Sequence, residues 1–367
     1  MKSLQPFIKA YYRFFDRFTL YLSYLELPFL CLASVPFLIW NPLHWALKLS
    51  VILIGANVYY FIPRSREIIR PALPVITWLS LFITCGNVPI DLRPSINTTF
   101  LPKTEVFLFG GNLSDVLASN TSDWKDVLAW IVYGILHFVN GFVAVPVMYL
   151  LGPKGTLPKF VRAYGYMNLA GVITQLLFPT ASPWYLYLYG LEPADYSIHG
   201  EPGGLARIDE ILKIDLYGNT FHNSPLVFGA FPSLHSGCAV MINLFLGHLK
   251  PYLIPFNFLY ITWIWWACLY FRHHYIVDLI GGFVYAFVCF IIVYKGRIAP
   301  QWHGPVKGTP ELLPTHIGSH GYVPLDNTSE VFSDLDLDLD EGAEMIISVD
   351  APSMVHTDTK LVHSIYI

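Results

Sequence analysis

The chain has 367 residues, of which 54% are apolar, 16% aromatic and 13% charged. Charge at roughly half the share usual in soluble proteins excludes an ordinary soluble domain and points to a chain with a bilayer for solvent. A net charge of −4 with scattered bases excludes a nucleic-acid binder. The five cysteines lie in or beside apolar runs without a Cys-x-x-Cys pair, so the sequence shows no disulfide frame and no metal-ligand cluster.

Residues 1–21 lack the short apolar run and small-residue cleavage site of a signal peptide. Lys9, Arg13 and Arg17 share one helical face, with Phe7, Tyr11, Phe14 and Phe18 mainly on the other. Two readings stand: an amphipathic helix on an anionic cytoplasmic leaflet, or a charged lead-in to the first span. Eight apolar segments follow, at about 22–40, 45–62, 71–85, 126–151, 162–180, 232–249, 252–271 and 277–294. Several are shorter than the roughly 20 residues of a straight span. The expected fold is therefore an all-α, polytopic membrane helix bundle of six to eight spans.

With a cytoplasmic N-terminus and eight spans, fifteen of the 22 lysines and arginines fall on the cytoplasmic side and six on the other. Lys48, inside a segment, is expected to snorkel to the interface. The loops 86–125 and 181–231 then face the lumen or the outside, and the first carries sequons at Asn97, Asn112 and Asn120. Residues 296–367 form a polar tail with an acidic run, Asp334–Glu341, expected to be largely disordered and cytoplasmic. This leaves 22–295 as the membrane-embedded catalytic domain.

Three polar clusters reach the non-cytoplasmic side: Arg93-Pro94, the stretch Phe231–Gly237, and Arg272–Asp278. Pro232 suits the first position of a helix. Ser233, Ser236 and Gly237 offer small donors and a close backbone approach, and the helix N-terminus favours a phosphate. His235 lies one turn in, placed to move a proton. His274 and Asp278 are four apart, so on a helix the carboxylate holds one imidazole nitrogen and aims the other outward as a nucleophile. Pro202–Asp209, with Trp184, Tyr185 and Tyr189, stands either as a reader of a polyol head group or as a Gly turn with an aromatic belt. His137, beside Asn140, reads as a helix-packing histidine in preference to a channel lining.

Pro232–Gly237 and the His-x-x-x-Asp of His274 and Asp278 resemble the second and third motifs of the type 2 phosphatidic acid phosphatase superfamily. Gly229–Ala239, His273–Gly282, Tyr166–Val172, Pro202–Asp209 and Asn112–Trp130 more closely resemble the fungal inositol phosphorylceramide synthases, the targets of aureobasidin A. The resemblance spans about residues 20–295. It departs from the wider superfamily where Gly86 stands for the first-motif lysine, seven before Arg93, and where Ala267-Cys268 stand for Ser-Arg. Arg272 stands as either a compensating phosphate contact or an interface anchor.

The resemblance implies transfer of phosphoinositol from phosphatidylinositol to ceramide through a phosphohistidine at His274. It implies His235 as acid and base, Asp278 as the orienting carboxylate, and Arg93, Ser233, Ser236, Gly237 and Arg272 as substrate contacts. It further implies no metal and no cofactor, a small membrane regulatory subunit, and a Golgi membrane with the site lumenal. A lipid phosphate phosphatase and a non-enzymatic lipid transporter or scaffold remain as alternatives.

Overall fold

A computed structural model describes residues 5–295, and every described element is helical apart from two isolated bridges. The expected tail, 296–367, lies outside the described residues. The eight apolar segments all form helices: α1 (Gln5–Trp40), α2 (Trp45–Phe61), α3 (Arg66–Thr84), then α6 (Asp123–Trp130) running through a π-helix (Ile131–Leu136) into α7 (His137–Leu151), α8 (Thr156–Leu177), α12 (Leu234–Leu249), α13 (Ile254–Tyr270) and α14 (Ile276–Lys295). Short helices fill the long loops: α4 (Phe100–Phe109) and α5 (Leu113–Ala118) in the first, α9 (Pro183–Tyr189), α10 (Ala206–Leu212) and α11 (Tyr217–His222) in the second.

Five stretches are long and apolar enough to cross a membrane: Arg17–Trp40, Pro63–Asn87, Asp123–Leu151, Pro251–Tyr270 and Ile276–Tyr294. Trp45–Phe61 and Leu234–Leu249 are apolar but shorter. Their outward faces carry large apolar side chains such as Leu32, Val51, Ile54, Phe142 and Phe258, which water would not tolerate in such number. The molecule is a multi-pass helical membrane protein.

The N-terminal segment is not a separate element: α1 runs unbroken for 36 residues, about 54 Å, well beyond the hydrocarbon core. The side chains of Lys9 and Arg13, on which its basic face rests, lie outside what the structure describes. Lys48 does not snorkel. It is buried, and its Nζ donates to the carbonyls of Leu38 (3.0 Å) and Asn41 (2.7 Å), closing the end of α1. Glu26 of α1 pairs inside the bundle with Arg162 of α8 and accepts from the Tyr166 hydroxyl at 2.7 Å. Breaking one partner of such a buried pair costs about 3–5 kcal/mol, so it fixes α1 against α8.

α12 is the central helix, packed on α7, α8, α13 and α14. A core of Phe160, Met167, Met241, Phe245 and Ala286 joins α8, α12 and α14. Where α14 crosses the start of α12, a Cβ on Gly282 would overlap the Ser233 carbonyl oxygen, so only glycine permits this approach. At the same end the loops are tied together. Asn97 and Thr180 bridge, as do Thr180 and Gly229, and Ser114 Oγ donates to the Leu269 carbonyl at 2.7 Å. The connections after α3, α8 and α13 thus gather at one end of the bundle, as alternating spans require.

Candidate active site

The first helix of the site begins two residues later than proline chemistry suggests. Ser233 is the N-cap of α12: its Oγ accepts from the Ser236 amide at 3.3 Å, and Pro232 precedes the cap. His235 therefore sits in the first turn. Opposite it, α13 ends at Tyr270 and the chain turns within five residues into α14. Arg272 takes the left-handed conformation in that turn, at φ 61°, and the amides of His273 and His274 donate to the Cys268 carbonyl at 3.0 and 3.3 Å. His274 lies just before α14, outside the helix, yet still meets the carboxylate four residues on. The Ser233 amide donates to the Asp278 carbonyl at 2.9 Å, locking the two helix starts together.

His274 Nδ1 is 3.1 Å from Asp278 Oδ2, and His274 Nε2 is 3.2 Å from His235 Nδ1. With Asp278 ionised, its oxygens only accept, and His274 then carries its proton on Nδ1 and presents the Nε2 lone pair to a proton on His235 Nδ1. Asp278 is fully buried and its Oδ1 has no hydrogen-bond partner, which leaves His274 as its one side-chain partner. Burial lowers the pKa of His274 to about 3, against a counter-pull from the Ala230 backbone, so the ring is uncharged at neutral pH. Desolvation likewise lowers His273 to about 4.

His235 is held between two rings. Tyr133 stacks on one face (centroids 4.3 Å apart, 21° between planes) and His137 lies against it at 4.5 Å and 39°. Both come from the π-helical stretch and the residue after it, a distortion common at functional sites. His273 Nε2 is 2.8 Å from the Pro202 carbonyl, which can only accept, so Nε2 carries the proton and Nδ1 accepts from the Tyr133 hydroxyl at 2.8 Å. Tyr133, His137 and His273 are neighbours that sequence reasoning did not assign to the site. Their signal was present only as a tyrosine and a histidine four apart in one span.

The structure thus brings His235, His274 and Asp278 together, and takes the other expected contacts elsewhere. Ser236 Oγ donates to the Leu279 carbonyl (2.7 Å) and accepts from Trp265 Nε1 (2.9 Å), tying α12 to α13 and α14. Ser233 is spent on its cap. The Gly237 amide donates to the Ser233 carbonyl at 3.0 Å, and a Cβ there would lie 2.6 Å from Met167 Sδ, so Gly237 serves helix packing. Arg93 donates from Nε and one Nη to the carbonyls of Val88 and Gly86, both at 2.8 Å, and stacks on Tyr196. It lines a 180 Å³ cavity with Gln175, His199 and His222. Arg272 pairs with Asp115 at 3.6 Å and lies over the Tyr187 ring. Neither guanidinium hydrogen-bonds either imidazole of the pair.

The second loop is likewise committed to folding. Arg207 grips both oxygens of Asp126, at 2.7–3.0 Å, and the Asp209 carboxylate accepts from the amides of Tyr217 and Gly218. Trp184 and Tyr185 are buried against Phe228, not spread as an interface belt.

Among the described residues, one trio has its donor atoms close enough together to hold a metal ion. Ring nitrogens of His235 and His274 and the Cys268 thiol lie within 4.8 Å of one another. His235 comes from a different stretch of chain, the start of α12, than the other two, which hid the grouping in the sequence. The donor set suits a soft divalent ion, but an ion there would take the His274 lone pair.

The family model described as PAP2 superfamily matches residues 107–292, half of the chain and all of this site. The chain is 50% identical over 244 residues to inositol phosphorylceramide synthase of Candida albicans, covering 66% of this chain and 51% of that protein. It is 44% identical over 250 residues to the inositol phosphorylceramide synthase catalytic subunit of Saccharomyces cerevisiae, covering 68% and 62%. Inositolphosphotransferase 1 of the same yeast is 34% identical over 220 residues, covering 59% and 39%. The chain thus spans about half to three-fifths of the first two relatives' length. No solved structure matches. A matched stretch that runs from α4 to α14 contains both helix starts and the hydrogen-bonded histidines between them, and the chain belongs to the PAP2 superfamily.

Proposed function

We propose that the chain is the catalytic subunit of an inositol phosphorylceramide synthase, a transferase that moves phosphoinositol from phosphatidylinositol to the primary hydroxyl of ceramide. The observation that carries this reading is the run Asp278–His274–His235, with the nucleophile in the middle, an orienting carboxylate on one side and a proton carrier on the other. The names of three relatives, all inositol phosphate transferases or synthases, support the head group.

In the first step the anionic phosphodiester enters beside His235 and favours its protonated form. His274 Nε2 attacks phosphorus while Asp278 holds Nδ1–H. The bond to the diacylglycerol oxygen breaks, and that oxygen takes the proton of His235. In the second step the ceramide hydroxyl gives its proton to His235 and attacks the phosphohistidine, and the His274–phosphorus bond breaks. His235 ends as it began, as microscopic reversal of the first step requires. The 3.2 Å contact between the imidazoles must open for phosphorus to reach Nε2.

The membrane-embedded catalytic domain is 22–295, and 296–367 is a cytoplasmic tail. The asymmetry of lysine and arginine supports cytoplasmic termini and a lumenal site. A Golgi membrane and a small membrane regulatory subunit follow from the family resemblance. Purified full-length protein in detergent, given labelled phosphatidylinositol and ceramide, tests the reading. Ceramide-dependent formation of an inositol-bearing sphingolipid, lost in His235→Ala and His274→Ala, supports it. Release of free phosphate without ceramide dependence would replace it with a lipid phosphatase.

A further inference from the structure

Glu105 lies on α4, outside every motif of the sequence, and its side chain is fully buried. A buried carboxylate needs partners, and this one has two. Its oxygens accept from the amides of Ile276 and Val277, each at 3.2 Å. Those are the first free N–H groups of α14, where the helix dipole is positive. The next residue is Asp278, whose side chain holds His274 and whose carbonyl accepts from Ser233. The reactive segment is therefore gripped from two sides, by α12 through Ser233 and by α4 through Glu105. Leu101, one turn before Glu105, packs in the same cluster as Tyr275 and Val277.

We propose that Glu105 is a positioning residue for phosphoryl transfer: by clamping both amides at the start of α14, it sets the geometry and charge around the His274–Asp278 pair. The proposal rests on the functional reading above. A carboxylate is needed because both oxygens accept. Glutamine offers one acceptor and turns an NH₂ group towards the second amide. Glu105 and Asp278 repel one another, both act on Tyr275, and Asp115 of α5, paired with Arg272, also acts on Tyr275. A negative Glu105 favours positive charge on the His274 ring, which the phosphohistidine carries.

The experiment compares the full chain in detergent with its Glu105→Gln and Glu105→Asp variants. Rates of ceramide-dependent transfer are taken across pH, beside thermal melting. For Glu105→Gln we expect kcat to fall at least about tenfold, KM for both lipids to stay within about twofold, and the acidic limb to move to lower pH as a negative charge is lost. Glu105→Asp, which keeps the charge, should restore the wild-type position of that limb and part of kcat. Wild-type kcat and limb in Glu105→Gln would overturn the proposal. So would a loss of kcat in both variants that follows melting with the limb unmoved. If wild type makes no inositol sphingolipid, the functional reading fails by itself. The same variant ratios, read on phosphate release from phosphatidic acid, then decide the role of Glu105.

Discussion

His235 Nδ1 and His274 Nε2 lie 3.2 Å apart, close enough that the two imidazoles occupy each other. Asp278, on the other side of the His274 ring, holds the ring proton on Nδ1 and leaves Nε2 facing His235. If the pair acts as proposed, Ala at either position removes a chemical step, and transfer should fall by 10²-fold or more. Asp278→Asn should also fall by about 10² or more, because the amide can donate to Nδ1 and push the ring proton onto Nε2, where the lone pair is needed. Initial rates at saturating lipid check this. Retained activity in His274→Ala would remove it as the nucleophile.

Tyr133 links two functions in one side chain, stacking on His235 and donating to His273. Tyr133→Phe keeps the ring and leaves His273 Nδ1 buried without a donor. A loss of about 1–3 kcal/mol of stability is expected, with transfer reduced only a few-fold. Tyr133→Ala should lose far more transfer, since His235 then has one ring wall in place of two. Thermal inactivation and initial rates measured together separate the two effects.

The helices and the His274–Asp278 pair were legible because their signals are local. Hydropathy accumulates along each span, and His274 and Asp278 are only four residues apart. What lay hidden is set by distant chain. Glu105 meets Ile276 and Val277 from about 170 positions away, and Tyr133 and His137 gain meaning only when α12 brings His235 between them. Arg93 and Arg272 were drawn to the phosphate by their place beside motifs. Sequence adjacency does not set side-chain direction, and the left-handed turn at Arg272 sends its guanidinium to Asp115 and Tyr187. Ser236 and Gly237 look like ligand donors until helix packing claims them.

That placement makes the two arginines a direct test. Arg272→Ala removes a partly exposed ion pair and a ring contact, so its cost should be modest, about 1 kcal/mol or less in stability for the pair. Arg93→Ala frees the Gly86 and Val88 carbonyls, just beyond α3, without touching the imidazoles. Both variants should keep transfer within about tenfold of wild type, against the 10² or more expected on losing His274. A loss from either arginine as deep as that of His274→Ala would mean that its guanidinium reaches the phosphoryl group.

Gly282 marks the tightest point between the helices that carry the two histidines. Gly282→Ala would drive a methyl into the Ser233 carbonyl and to 3.0 Å from the Gly237 amide nitrogen, both rigid backbone. Overpacking of this kind costs about 1–3 kcal/mol, and here it also separates His235 from His274. Transfer should therefore fall by more than the melting temperature alone accounts for.

Acid should unfold the protein through two imidazoles. His273 and His274 are buried and titrate near 4 and 3, against the ordinary 6.5. Between those values and 6.5 the unfolded chain binds protons that the folded chain does not, so stability rises with pH across this window and is lost as pH falls. At pH 5 the two together withdraw about 4 kcal/mol relative to pH 8. Inactivation temperature, followed from pH 8 to pH 5 in one detergent, should drop steeply below about pH 6.5. His273→Gln removes one of the two groups, so its curve should start lower at pH 8 but fall less on acidification. A variant curve parallel to wild type would show that His273 does not titrate in this range.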